Sequence, residues 1–160
     1  MTVPSPASPG AWIVDASVAA KWFRPVDLEA EGELAREAIG QLAMRTTSLG
    51  FYEVGNLLIR RTGWAGERIG SALELMRELC GEPIELTPED HHATAELART
   101  HDLTFYDASY VAIANRLGRG VLSADGDLVK PGLAVTLETA LVSSAELRAG
   151  RRLPARAGRC

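Results

Sequence analysis

Four acidic residues, Asp15, Glu53, Asp107 and Asp125, stand in four separate segments of the chain and are the residues best suited to do chemistry together. Carboxylates gathered in one cleft can hold a hard divalent cation, whose octahedral oxygen shell is completed by water and by a substrate phosphate. One or two such ions can activate a water, polarise phosphoryl oxygens and stabilise a departing oxyanion, which is what hydrolysis of a phosphodiester requires. Singly, each acid has a plainer reading. Asp15 fits a helix cap, Asp107 fits a capping box with Thr104, Asp125 fits an Asx turn in Asp125-Gly126-Asp127, and Glu53 fits a solvated helix charge. The functional case therefore rests on their combination.

The elements that carry these residues follow from periodicity. Trp12-Ile13-Val14 is a short β-rich run closed by Asp15, and Ala16 to Phe23 reads as a helix ended before Pro25. A second helix is expected from Asp27 to Met44, then a weak strand around Thr46 to Leu49. Phe51 to Arg61 forms a helix that turns Val54, Leu57 and Leu58 inward and sets Glu53, Asn56 and Arg60 on another face. Further helices are predicted over Arg68 to Cys80, Pro88 to Arg99 and Thr104 to Leu117, with Gly81 and Gly118 as stops. Pro83 to Leu86, Gly120 to Ser123 and Leu133 to Leu137 read as strands. Strands alternating with helices imply an α/β fold, a three-layer α/β/α sandwich around a parallel sheet of about five short strands. In such sheets the loops at the carboxyl ends of the strands share one crevice, and Asp15 and Asp125 both fall there, with Asp107 at the start of the helix leading into the last of these loops.

Composition narrows the classes. The 160 residues suit one domain, and 46% hydrophobic with 24% charged residues is an ordinary soluble balance. We expect a flexible leader over 1–11, the domain over 12–142 and a disordered arginine-rich tail over 143–160. Asp and Glu outnumber Lys and Arg by 21 to 17, a formal charge of −4, so any attraction for nucleic acid must be local. No apolar run approaches the ~20 residues of a membrane span, and a cytoplasmic location without membrane attachment is expected. The two cysteines suggest neither a disulfide framework nor a zinc site, and His91, His92 and His101 do not share a metal-binding face. No glycine-rich phosphate loop follows the first strand.

The segments Trp12-Ile-Val-Asp15-Ala-Ser17-Val, Glu53-Val-Gly-Asn56, Leu103-Thr-Phe-Tyr-Asp107-Ala-Ser-Tyr-Val-Ala-Ile-Ala and Val121-Leu-Ser-Ala-Asp125 occur in this order. With them the chain resembles the PIN-domain ribonuclease toxins of VapC type from prokaryotic toxin–antitoxin pairs, over roughly Trp12 to Leu141. The resemblance implies that Asp15, Glu53, Asp107 and Asp125 form a catalytic metal site for Mg²⁺, with Mn²⁺ as the alternative. It further implies an RNA substrate, a homodimer, and a small cognate antitoxin that occludes the acidic crevice. Ser17 and Asn56 match accompanying polar positions expected to orient the carboxylates or a water. Ser123 stands where many relatives have threonine and keeps the hydroxyl. Asp127 is an added acid, read as a solvated turn residue in preference to a water-mediated metal partner.

Lys21, Arg24, Arg60, Arg61 and Arg68 are candidate RNA contacts, each equally readable as solvated charge. Two other functions remain open. One is a catalytically idle PIN-fold binding module, which the complete set of acids disfavours. The other is a structure-specific DNA nuclease, whose usual extra helices would find little room in this length.

Overall fold

The computed structural model describes residues 11–23 and 31–151. Its centre is a parallel sheet of three short strands in the order β2-β1-β3, where β1 is Trp12–Val14, β2 is Met44–Arg45 and β3 is Val121–Leu122. Trp12 and Ile13 pair with Met44 and Arg45, and Ile13 and Val14 pair with Val121 and Leu122. The other two expected strands shrink to single parallel bridges at the sheet's edges, Ile84 to Thr47 and Val135 to Leu122. Local chemistry explains the shortening. Pro83 has no N–H to give a ladder and Thr87-Pro88 already opens a helix, while Pro131-Gly132 and the helix starting at Leu137 confine the last segment.

Side-chain alternation along β1 divides the core in two. Val14 and Leu122 pack with Val18, Trp22, Val54, Leu58 and Met76 on one face of the sheet. Ile13 and Val121 pack with Leu97, Tyr110, Val111, Ile113 and Leu128 on the other. A strand buried on both faces is what a sheet between two helical layers requires, so the three-layer α/β architecture holds.

The helices are α1 (Ala16–Ala19), continued by a 3-10 turn over Ala20–Trp22, then α2 (Gly32–Ala38), α3 (Ser48–Thr62) and α4 (Gly66–Cys80). They are followed by α5 (Pro88–His101), α6 (Phe105–Leu117), α7 (Gly126–Val129) and α8 (Leu137–Arg151). Caps fix several ends: Thr87 and Asp90 form a full capping box on α5, Thr104 caps α6, and Gly63 and Gly118 close α3 and α6 in the left-handed region. Asp90 also receives Arg116 Nε at 2.9 Å, tying α5 to α6.

Three expectations need correction. The second helix ends at Ala38 and not at Met44, because Gly40 takes φ 84° and Met44 is drawn into β2; its expected start, Asp27, lies outside the described residues. The weak strand expected at Thr46 to Leu49 sits earlier, since Thr47 caps α3 and Ser48 begins it. The tail does not begin at 143: α8 runs on to Arg151, anchored by buried Leu137 and Ala140, and Arg148 donates to Gln41 Oε1 at 2.9 Å. Residues 1–10 of the expected leader and 152–160 of the tail lie outside the described residues. Among the described residues no helix is long and apolar enough to cross a membrane.

Gly50, in the first turn of α3, is needed for close packing. A Cβ there would collide with Thr46 Oγ1, which is occupied donating to Val14 O, and would stand 3.2 Å from the Tyr110 hydroxyl. Gly70 on α4 has open space around it. We expect Gly50→Ala to destabilise the fold by about 1–3 kcal/mol, and Gly70→Ala to be neutral or to stabilise by up to about 1 kcal/mol. Urea unfolding of the two variants checks the contrast.

Candidate active site

Asp15 ends the central strand, with its N–H bonded to Leu122 O at 3.1 Å, and caps α1. Its carboxylate is 5% exposed and almost fully engaged. Oδ1 accepts from Ser17 Oγ at 2.6 Å and from the Val18 N–H at 3.2 Å, and Oδ2 accepts from Ser123 Oγ. The serines are fixed in turn: Ser17 Oγ accepts the Ala124 N–H and Ser123 Oγ accepts the Asp125 N–H, both at 2.9 Å. This lattice stitches the carboxyl end of β1 to that of β3. Burial pushes the Asp15 carboxyl from its usual 3.8 up to about 6; the Ser123, Ser17 and Val18 donors work against the rise, and the nearby Glu53 charge adds to it.

Glu53 projects from α3 and its Oε2 accepts the Tyr110 hydroxyl of α6 at 2.6 Å. Burial raises its pKa, the Tyr110 bond opposes the rise and Asp107 reinforces it. The Tyr110 phenol is itself raised, first by burial and then by the Glu53 charge. Asp107 lies in the first turn of α6, where its N–H bonds Thr104 Oγ1 at 3.1 Å and the Thr104 hydroxyl donates back to its carboxylate. Asp125 caps α7 and its Oδ1 accepts the Asp127 N–H at 2.9 Å, the Asx turn foreseen for this segment.

Asp15 and Asp125 make the cap and the Asx turn of their plainer readings, whereas Asp107 takes the Thr104 hydroxyl without closing a capping box and Glu53 is bonded to Tyr110 instead of solvated; all four line one cleft of about 260 Å³. Ser17, Asn56 and Tyr110 line it too, with Ala16 and Leu57 as apolar walls, and none of the lining residues is basic. Ser123 stands behind the wall, 1% exposed. The acids offer oxygen donors, suited to a hard cation, and Glu53 repels Asp15 as Asp107 repels Glu53, so positive charge would be favoured there. Among the described residues no three acidic, histidine or cysteine side chains are drawn together tightly enough to enclose an ion. The arrangement is an open cleft and no closed cage.

The other candidates fall elsewhere. Asp127 is exposed and absent from the cleft lining. Lys21 Nζ lies 3.4 Å from Glu31 Oε2. Arg60, Arg61 and Arg68 are exposed beyond the cleft, Arg68 lying over the Trp64 ring at 3.9 Å, and Arg24 is outside the described residues. Tyr110 was not singled out from sequence, since in the run Tyr110-Val-Ala-Ile-Ala it reads as core; the signal available was its place three residues after Asp107, on the same helical face.

Comparison with known proteins identifies the family. The profile of the PIN domain family matches residues 12–132. Ribonuclease VapC3 of Pyrobaculum aerophilum is 31% identical over 123 residues, spanning 74% of this chain and 92% of that protein. The crystal structure of PAE2754 from Pyrobaculum aerophilum superposes with a TM-score of 0.61 at 26% identity, covering 85% of this chain and 90% of that one. Mycobacterium tuberculosis VapC20, a Sarcin-Ricin loop cleaving toxin, shares the fold with a TM-score of 0.64 at 22% identity, covering 76% and 95% of the two chains.

The raised Asp15 pKa has a thermodynamic sign. The unfolded chain loses this proton near 3.8 and the folded one holds it to about 6. Between those values the folded state binds more protons, so stability falls as pH rises and levels off above about 6, by roughly 3 kcal/mol in total. In EDTA, the melting temperature of the wild type should drop between pH 4.5 and 7 more than that of Asp15→Asn. Equal drops would show that another group sets the profile.

Proposed function

Because the chain belongs to the VapC family of PIN-domain proteins, we propose that it is an endoribonuclease that hydrolyses RNA phosphodiesters with a divalent metal ion. The observation carrying this reading is the shared cleft: carboxylates from β1, α3, α6 and the β3–α7 turn meet where no basic side chain lines the wall. Asp15, Glu53, Asp107 and Asp125 would hold Mg²⁺, or Mn²⁺ in its place. When bound, the ion supplies Lewis-acid polarisation of the phosphoryl oxygens and a more acidic water.

The chain's own groups do the rest. Asp15, locked by Ser17, Ser123 and the Val18 N–H, is the fixed reference of the site and has no rotameric freedom to lose on binding. Asp107 and Asp125, half-buried and lining the cleft, would offer their oxygens to the ion. Asn56 lines the cleft from α3 and offers an amide to a phosphate oxygen or a water. Arg60, one turn further along that face, is the candidate for a neighbouring phosphate; Arg61 and Arg68, exposed beyond the cleft, and Lys21, paired with Glu31, are weaker candidates. The same acidity suits a partner that inserts a basic side chain; a toxin role with a cognate antitoxin accords with the VapC relatives, and a homodimer and a cytoplasmic location complete the proposal.

The test is cleavage of RNA and of DNA of matched sequence, with Mg²⁺ and with EDTA. We expect RNA to be cut only with metal and DNA to be spared. Asp15→Asn and Asp107→Asn should lower the rate by about 100-fold or more, the scale of losing one preorganised electrostatic group, with native circular dichroism. Asp127→Asn should retain activity. Full activity in both site variants, or loss in Asp127→Asn equal to theirs, would refute this assignment of the centre.

A further inference from the structure

We propose that Tyr110 is a positioning residue for Glu53: its buried hydroxyl holds the Glu53 carboxylate against the cleft so that it can serve a bound cation. This rests on the reading of the cleft as a metal-dependent site and names a residue that acts on it through another.

Tyr110 is 1% exposed, among the largest fully buried side chains, yet it forms part of the cleft wall. Its hydroxyl donates to Glu53 Oε2 at 2.6 Å. Thr47, a fully buried residue, caps α3 beside it. Thr47 Oγ1 in turn accepts the Gly50 N–H at 3.1 Å. A phenol carries a single proton, and in Tyr110 that proton is directed at the Glu53 carboxylate.

The close approach depends on the absence of a side chain at Gly50, where a Cβ would stand 3.2 Å from the phenol oxygen. Phenylalanine would fill nearly the same core volume against Ile13, Val111 and Ile113, so packing alone does not call for the hydroxyl. A buried hydroxyl is costly unless satisfied, and here its proton goes to an acid of the cleft. Without it, Glu53 loses a buried donor while keeping the repulsion of Asp107, and its flexible side chain is released to solvent-facing rotamers.

The experiment compares Mg²⁺ binding by calorimetry in the wild type, Tyr110→Phe, Glu53→Gln and the double variant, with melting in EDTA as the fold control. Tyr110→Phe should weaken Mg²⁺ binding about 10- to 100-fold, the range for partners that orient metal-binding groups, with only a small change in apo melting. It should have no further effect in the Glu53→Gln background. Wild-type affinity in Tyr110→Phe, or a loss that persists in the Glu53→Gln background, overturns the assignment. The metal-free wild type supplies an independent reading, one that also serves if Tyr110→Phe does not fold or if the wild type takes up no Mg²⁺, which would sink the proposed function. By NMR the Tyr110 hydroxyl proton should exchange slowly and lie against the Glu53 side chain; rapid exchange or no proximity overturns the proposal.

Discussion

Everything at the cleft depends on one buried carboxylate at the end of the central strand. Asp15 is where β1 stops, and because β1 is flanked on both sides by parallel strands, its carboxyl end coincides with theirs. A charge so placed would be costly without donors. Ser17, Ser123 and the Val18 N–H supply them, and because Ser17 and Ser123 also accept the N–H groups of Ala124 and Asp125, the satisfaction of Asp15 fixes the turn that carries Asp125. Positioning one acid thereby positions a second.

The opposite wall is built on a different principle. Glu53 and Asp107 sit on helices α3 and α6, which approach through the small residue Gly50 and the buried Tyr110, and their carboxylates are held by hydroxyl donors from Tyr110 and Thr104. None of these donors carries a charge, and no basic side chain lines the cleft. The site consequently holds its negative charges in place by neutral hydrogen bonds while leaving their mutual repulsion unrelieved. That arrangement favours the apo fold less than a paired one would, and it leaves the full electrostatic gain to an incoming cation or basic group.

Much of this could be read in advance, for identifiable reasons. The acids were visible because strand ends and helix starts have strong local signals: Asp15 closes an apolar run, Asp125 follows one, and Thr104 marks the helix that carries Asp107. Long helices with clear stops, α4 with Gly81 and α6 with Gly118, appear where periodicity put them. What failed had two causes, local competition at the sheet edges and tertiary contact along α8. The edge strands shortened to bridges under the competition of Pro83 and of the helices at Pro88 and Leu137, and α8 persists to Arg151 on anchors at Leu137, Ala140 and Gln41 that no local pattern reveals. Tyr110 was hidden because a buried aromatic in an apolar run looks like core, and only the fold shows that its hydroxyl meets an acid far away in sequence.

If the acids of this cleft take up a cation, as proposed above, Asp15 is one of its ligands. The most direct measurement is a thermal melt of the wild type and Asp15→Asn, each in EDTA and in Mg²⁺ at fixed ionic strength. Binding to the folded state alone stabilises the wild type by about 1.4 kcal/mol at ten times the dissociation constant, so its melting temperature should rise with Mg²⁺. Asp15→Asn should melt no lower than the wild type in EDTA at neutral pH and should lose most of that rise. An identical Mg²⁺ shift in the two proteins would contradict it, because Asp15 would then not be a ligand.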